Sequence, residues 1–149
     1  LLLFDLGACV RGYRSDITRT FSVGPATDKT KEIYDIVLRA NLAAIGTIKS
    51  GKTGVEVDAV ARALIVETGY GEQFGHGLGH GIGLEVHEAP GLSPLSTSTL
   101  KEGMVVTIEP GIYLTGFGGV RIEDDAVITA DGCEIITAFP KDELIEVGI

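Results

Sequence analysis

The stretch Phe74-Gly75-His76-Gly77-Leu78-Gly79-His80-Gly81-Ile82-Gly83-Leu84-Glu85-Val86-His87-Glu88 holds all three histidines of the chain. Five glycines are interleaved with them. Glycine costs about 1 kcal/mol relative to alanine inside a helix, so Gly77, Gly79, Gly81 and Gly83 rule strongly against one here. Upstream of this stretch the apolar spacing is helical. Downstream it becomes short β-prone runs separated by turn residues. The segment therefore marks the boundary between two textures, and a fold of class α+β is expected.

Working upstream, two helices are predicted. Thr27 or Asp28 can cap the first, whose apolar positions are Ile33, Ile36, Val37, Ala40, Ala43, Ala44 and Ile48; Gly51 lies beyond its end. Thr53-Gly54-Val55-Glu56 is a capping-box pattern. It leads into the stripe Val57, Val60, Ala61, Leu64 and Ile65, with Gly69 at the left-handed stop. Both stripes are read as packing on a sheet, and neither helix as a functional face. Before them the chain opens as a hairpin. Leu1 to Phe4 is apolar, Gly7 and Gly12 are expected at turns or bulges, and Asp16 to Val23 resumes β-prone residues.

Working downstream, strands are expected at Leu84–His87, Met104–Ile108, Ile112–Leu114, Val120–Glu123, Ala126–Ile128 and Glu134–Ile136. Asp131-Gly132 suits a hairpin turn. Ala89 to Thr99, with Pro90 and Pro94, is expected as a loop.

Composition narrows the function. The chain has 149 residues, 12 basic and 21 acidic side chains, and a formal charge of -9. Phosphate backbones and anionic membrane surfaces demand the opposite sign, so neither nucleic acid nor membrane is an expected partner. The first residues do not form a signal peptide, and no apolar run approaches a membrane span. Cys9 and Cys133 form no CxxC and are read as thiols of a reducing compartment, the cytoplasm. The start at Leu1, in an apolar strand without an initiator Met, is read as a cut within a longer protein.

One histidine alone would be an ordinary surface or core residue. Three among glycines, which clear bulk and let backbone approach a ligand, point to function. His76 and His80 are four apart, but no glutamate follows His76 and the glycines forbid the helix that an HExxH zinc site needs. A phosphate-binding GxxxxGK[ST], a dinucleotide fingerprint and a GxSxG elbow are all absent. A second signal comes from carboxylates on apolar strands: Asp5, Asp16, Glu109 and Glu123. Ionised carboxylates there are costly unless paired or metal-bound. Four carboxylates and the His80 imidazole form a hard ligand set suited to manganese, cobalt or zinc. Two divalent cations would take the charge of -9 to -5.

At these residues the sequence resembles the pita-bread metallopeptidases: Xaa-Pro dipeptidases (prolidases), aminopeptidase P and methionine aminopeptidases. The matching segments are Asp5-Leu6-Gly7-Ala8, Gly12 to Phe21, His76 to Glu88, Thr107-Ile108-Glu109-Pro110-Gly111 and Val120-Arg121-Ile122-Glu123-Asp124. They occur in family order along nearly the whole chain. The resemblance implies a curved antiparallel sheet covered by helices, the creatinase/aminopeptidase-like fold. It also implies a dinuclear site with Asp5, Asp16, His80, Glu109 and Glu123 as ligands. Asp16 and Glu123 would bridge, Asp5 would hold one ion, and His80 with Glu109 the other. Glu109 would also shuttle a proton. His87 would hydrogen-bond substrate and transition state, and His76 and Arg121 would orient substrate. His76 also fits a role of only orienting His80 or the loop, and Arg121 could instead pair with Asp124 or Asp125. Tyr13 is read as packing.

His76 and Arg121 match the branch of Xaa-Pro peptidases and argue against methionine aminopeptidase. Within that branch the run Ser15-Asp16-Ile17-Thr18-Arg19-Thr20 looks more like an Xaa-Pro dipeptidase, acting on short proline-containing peptides, than aminopeptidase P. A metal-free creatinase-like enzyme and a non-catalytic binding module are the remaining alternatives; each would be expected to lack ligands. Residues 1–149 are expected to be part of a catalytic domain whose N-terminal portion, with a further histidine and part of the pocket, precedes Asp5. The full protein is expected to be a homodimer. The 149 residues alone are expected to bind metal yet turn over little substrate.

Overall fold

The computed structural model of the chain describes residues 1–148. Its long opening hairpin joins β1 (Leu2–Val10) to β2 (Tyr13–Val23), in unbroken antiparallel register from Leu2↔Phe21 to Val10↔Tyr13. Arg11 and Gly12 alone make the turn, with φ of 54° and 92°. Two such residues match the twist of the flanking strands. Gly12 therefore sits at the expected turn, whereas Gly7 does not. Gly7 lies mid-strand opposite Asp16, where a Cβ would stand 2.6 Å from the Ser15 carbonyl oxygen. The glycine permits close approach, not a bend. Because side chains alternate along a strand, the register puts Asp5, Asp16, Thr18 and Thr20 on one face and Phe4, Leu6, Ile17 and Phe21 on the other.

Two helices follow, α1 (Asp28–Thr47) and α2 (Gly54–Glu67). Thr27 caps α1, its hydroxyl accepting from the Thr30 N–H at 3.2 Å. The Thr53 and Glu56 capping box forms as expected: the Glu56 carboxylate accepts the Thr53 N–H at 2.8 Å, and the Thr53 hydroxyl accepts the Glu56 N–H. Gly69 takes φ 87° just beyond α2. Both apolar stripes, except half-buried Ala43 and Val60, join Leu78, Leu92, Leu100, Ile108, Ile112 and Ile122 in one buried cluster. Among the described residues, no helix is long and apolar enough to cross a membrane.

The remaining strands are short: β3 (Gly79–Gly81), β4 (Glu88–Leu92), β5 (Val105–Ile108), β6 (Gly111–Leu114), β7 (Gly118–Arg121), β8 (Asp124–Ile128), β9 (Cys133–Ile135) and β10 (Ile145–Val147). They form a five-stranded sheet in the order β4-β3-β5-β8-β9 and a separate β6-β7 pair. The third sheet is β1-β2-β10, in which β10 runs parallel to β2. Hydrogen bonding thus divides the expected antiparallel surface into three, with one parallel pairing.

Two expectations fail around the histidines. Leu84–His87 is no strand; it is a series of bends closed on itself, with Gly83 N–H on the Glu85 carbonyl at 3.1 Å and Glu85 N–H on the Glu88 carboxylate at 3.2 Å. Leu84 is exposed, so the alternation there has no core to serve. Conversely, Glu88–Leu92, expected mostly as loop, pairs with β3 as β4. Pro90 enters it through a cis Ala89–Pro90 bond.

Candidate metal centre

Asp16 on β2, His80 on β3 and Glu123 between β7 and β8 each offer one ligand atom, and these atoms lie within 4.8 Å of one another. Glu109, just after β5, reaches the same point: its Oε1 is 3.3 Å from His80 Nε2. Asp5, Asp16, His80, His87, Glu109 and Glu123 line one cavity of about 500 Å³. A smaller adjoining cavity of about 330 Å³ is bordered by His76, His80, His87, Glu109 and Arg121. The structure thus gathers the eight expected site residues, Asp5, Asp16, His76, His80, His87, Glu109, Arg121 and Glu123, around two neighbouring cavities. The tight cluster holds three of the five acid and imidazole groups; Glu109 and Asp5 stand around it. Asp5 is half exposed on β1 and is drawn to the Arg121 guanidinium.

Local sequence explains how each group is held. The strand period of two places Thr18 beside Asp16 and Thr107 beside Glu109 on the same faces. The Thr18 hydroxyl donates to Glu123 Oε2 at 2.5 Å. The buried Thr107 hydroxyl donates to Glu109 Oε1 at 3.1 Å and accepts the His80 N–H at 3.0 Å. The Glu123 N–H donates to the Thr18 carbonyl at 3.1 Å, tying the 121–123 segment to β2. His80 Nδ1 lies 3.0 Å from the Gly81 carbonyl, and donating there leaves Nε2 turned to the carboxylates. The His80 and His87 rings lie 4.2 Å apart.

A second network lies on the other side of Glu109. His76 Nε2 is 3.1 Å from the Tyr113 hydroxyl, which accepts from Arg121 at 2.9 Å. Arg121 also reaches Asp5 and donates to Thr18 Oγ1 at 3.1 Å. Arg121 therefore pairs with neither Asp124 nor Asp125. Asp124, three residues on along an extended chain, faces the opposite side. There it is buried against Arg19 at 2.7 Å and against Lys141. Asp125 is buried as well: one oxygen accepts the Asp16 N–H at 3.0 Å, and the other has no partner among the described residues. Tyr13, expected in packing, is exposed at the hairpin tip.

Charge crowding is visible in the titration of the cluster. Burial, then the nearby Asp5, pushes Asp16 up to about 6. Burial, then Glu109, pushes Glu123 up to about 8. Burial pulls the His80 imidazolium down, but its hydrogen bonds to Glu109 and the Gly81 carbonyl, with the charges of Glu109 and Glu123, together outweigh this and carry it up to about 9. Convergent carboxylates that resist ionisation in one cavity, with an imidazole nitrogen turned into it, are the donor chemistry of a divalent metal site. The residues present fit such ions.

Sequence reading missed Thr18, Thr107, Tyr113, Asp125 and the Asp58–Arg62 pair of α2. For the two threonines the signal was available: each lies two residues from a ligand candidate on the same strand face. For Tyr113 and Asp125 it was not, because His76 and Asp16, which draw them into the site, lie 37 and 109 residues away.

The model of metallopeptidase family M24 matches residues 1–130. The chain belongs to metallopeptidase family M24. Other M24 proteins agree with it in sequence and in fold. The Xaa-Pro dipeptidase of Pyrococcus horikoshii is 54% identical over 142 residues, which is 95% of this chain and 40% of that protein. A solved Xaa-Pro dipeptidase from Bacillus anthracis superposes with a TM-score of 0.95 at 59% identity, over 97% of this chain and 41% of that one. An X-Pro aminopeptidase from Thermotoga maritima gives a TM-score of 0.94 at 50% identity, over 97% and 40%. The M24 chain described here thus has the α+β pita-bread fold and spans about two-fifths of the length of these relatives.

Proposed function

We propose that the protein is a dinuclear metal-dependent peptidase that hydrolyses the Xaa-Pro amide bond of dipeptides or short peptides. The observation that carries this is the convergence of Asp16, His80 and Glu123, with Asp5 and Glu109, around one cavity in an M24 chain. Because the chain spans about two-fifths of its relatives, the activity is assigned to the full natural protein. Residues 1–149 are its ligand-bearing part, within a longer catalytic domain. We also place it in the cytoplasm, in keeping with its two unpaired cysteines, and as a homodimer.

Asp5, Asp16, His80, Glu109 and Glu123 would hold two divalent ions, with manganese ahead of cobalt or zinc. Bound there, the ions supply a water of lowered pKa and polarise the scissile carbonyl. Glu109 lies between the His80 ring and the Arg121 guanidinium. That position suits a carboxylate that takes a proton from the water and returns it to the leaving nitrogen. His87, exposed beside His80, donates a hydrogen bond to the tetrahedral oxygen. His76 and Arg121, linked through Tyr113, orient the substrate. A prolyl amide has no N–H, so selection rests on ring shape and terminal charges.

The likeness to an X-Pro aminopeptidase favours one second reading, a peptidase acting on longer Xaa-Pro peptides. Both are tested on the full natural protein loaded with manganese. Xaa-Pro dipeptides are hydrolysed in preference to Xaa-Leu dipeptides and to longer Xaa-Pro peptides, and Glu109→Ala abolishes turnover. Preference for the longer peptides would select the second reading. Retained turnover in Glu109→Ala would sink the mechanism.

A further inference from the structure

An aspartate and an arginine four apart on a helix ordinarily form a surface ion pair of small consequence. Asp58 and Arg62 on α2 differ. Asp58 is 1% exposed. The guanidinium meets it as a fork, Nε to Oδ2 at 2.7 Å and an NH2 to Oδ1 at 2.9 Å. The remaining hydrogen bonds of the pair leave the helix. Arg62 donates to the Phe74 carbonyl at 3.0 Å and to the His76 carbonyl at 2.7 Å. Asp58 Oδ1 accepts the Leu78 N–H at 3.0 Å. Three alternate residues of the histidine loop therefore hang on one ion pair. The guanidinium also lies over the Phe74 ring, 4.2 Å from its centre. Phe74 in turn meets the His76 ring edge-on at 5.1 Å.

We propose that the Asp58–Arg62 pair is the positioning device for His76. It fixes the backbone on both sides of that residue and, through Phe74, the tilt of its ring toward Tyr113. Charge-assisted bonds to backbone suit this task here: Phe74 and Leu78 are buried, but Gly75 and Gly77 between them carry no side chain to hold the backbone on either side of His76. His80 is held differently: it lies on β3, between β4 and β5, with its N–H on Thr107. The pair thus governs the substrate-facing histidine and not the ligand histidine. The inference rests on the reading of His76 as a substrate-orienting group, but its test uses no substrate.

The test is NMR of the full natural protein in its metal-free form, observing the His76, His80 and His87 rings and the amides of residues 74–80, with cobalt titration in parallel. Arg62→Lys keeps a positive charge beside Asp58 but loses the fork and both carbonyl bonds. Its His76 ring resonances should shift while those of His80 stay, and its cobalt affinity should remain within about twofold of wild type, since no ligand is touched. Asp58→Asn should speed Leu78 amide exchange by about tenfold or more, the loss expected for a charge-assisted bond. Free guanidinium added to Arg62→Ala should return the His76 resonances toward wild type, whereas urea should not. The proposal is overturned if His76 stays unmoved in folded Arg62→Lys. It is equally overturned if His76 and His80 shift together with loss of cobalt affinity, which would mark a general structural role. Failure of the peptidase reading would instead show as absent hydrolysis with the His76 dependence intact.

Discussion

Two regions supply the proposed ligands, and they are built differently. Asp16, His80 and Glu109 sit on or beside strands that have neighbours on both sides, and Glu123 directly precedes β8, which has them too. Each is tied down: the Asp16 N–H donates to the Asp125 carboxylate, the Thr18 hydroxyl donates to Glu123, and the Thr107 hydroxyl accepts the His80 N–H and donates to Glu109. Asp5 sits on β1, the edge of its sheet, half exposed, with Arg121 as its ion-pair partner. Buried like charges are costly and demand a prearranged frame. An exposed carboxylate does not, because water screens it. On the proposed reading the inner ligands form the fixed part of the site, and Asp5 would exchange its Arg121 partner for a bound cation.

The contrast breaks first at its most buried member. Glu123→Ala should lose metal binding altogether, a loss larger than the ~100-fold ceiling for supporting residues. Calorimetric titration with manganese or cobalt reads this directly. Asp5→Ala should do less: one ion per chain lost and one kept, read by metal analysis after dialysis. Equal losses in the two variants would erase the distinction between seat and edge. Thr107→Val should weaken metal affinity by about 10–100-fold without removing any ligand, because it frees both His80 and Glu109.

The smallest effect sharpens the same comparison through pH. In the metal-free chain Asp16 and Glu123 titrate above the ordinary carboxylate range, at about 6 and about 8. Their protonated forms favour the fold, so this stability is present below the unfolded carboxylate pKa and is lost as pH rises through those values. His80, raised to about 9, adds stability that is complete below its unfolded value and is lost as pH rises through 9. All three act in one direction. The melting temperature of the metal-free chain should fall between about pH 4 and pH 9. Saturating manganese should flatten that fall, adding about 2.7 kcal/mol at a hundredfold excess over Kd.

Much of this was readable from residues alone. Helix caps are local, so Thr27 and the Thr53–Glu56 box were legible before any fold. The acids at strand ends stood out because charge beside a run of β-branched residues needs a reason. What escaped reading depends on partners far along the chain. Leu84 and Val86 alternate like a strand, yet among the described residues no strand pairs with them. The β4 strand was hidden by Pro90, and β10 by its three-residue length. Arg121 could be matched to the nearest acids in sequence, Asp124 and Asp125, but strand alternation turns Asp124 away and the hairpin brings Asp5 across from 116 residues upstream. The pair Asp58 and Arg62 has only the spacing of an ordinary helix ion pair, which singles out nothing. Only burial reveals that it grips the histidine loop.

The central claim is that five side chains on this chain hold two metal ions. Metal content of the manganese-loaded chain, measured after exhaustive dialysis alongside Glu123→Ala, tests it most directly. The account predicts two ions per chain in the wild type and none in the variant. A wild type that retains no metal, or a variant that retains as much, would contradict it.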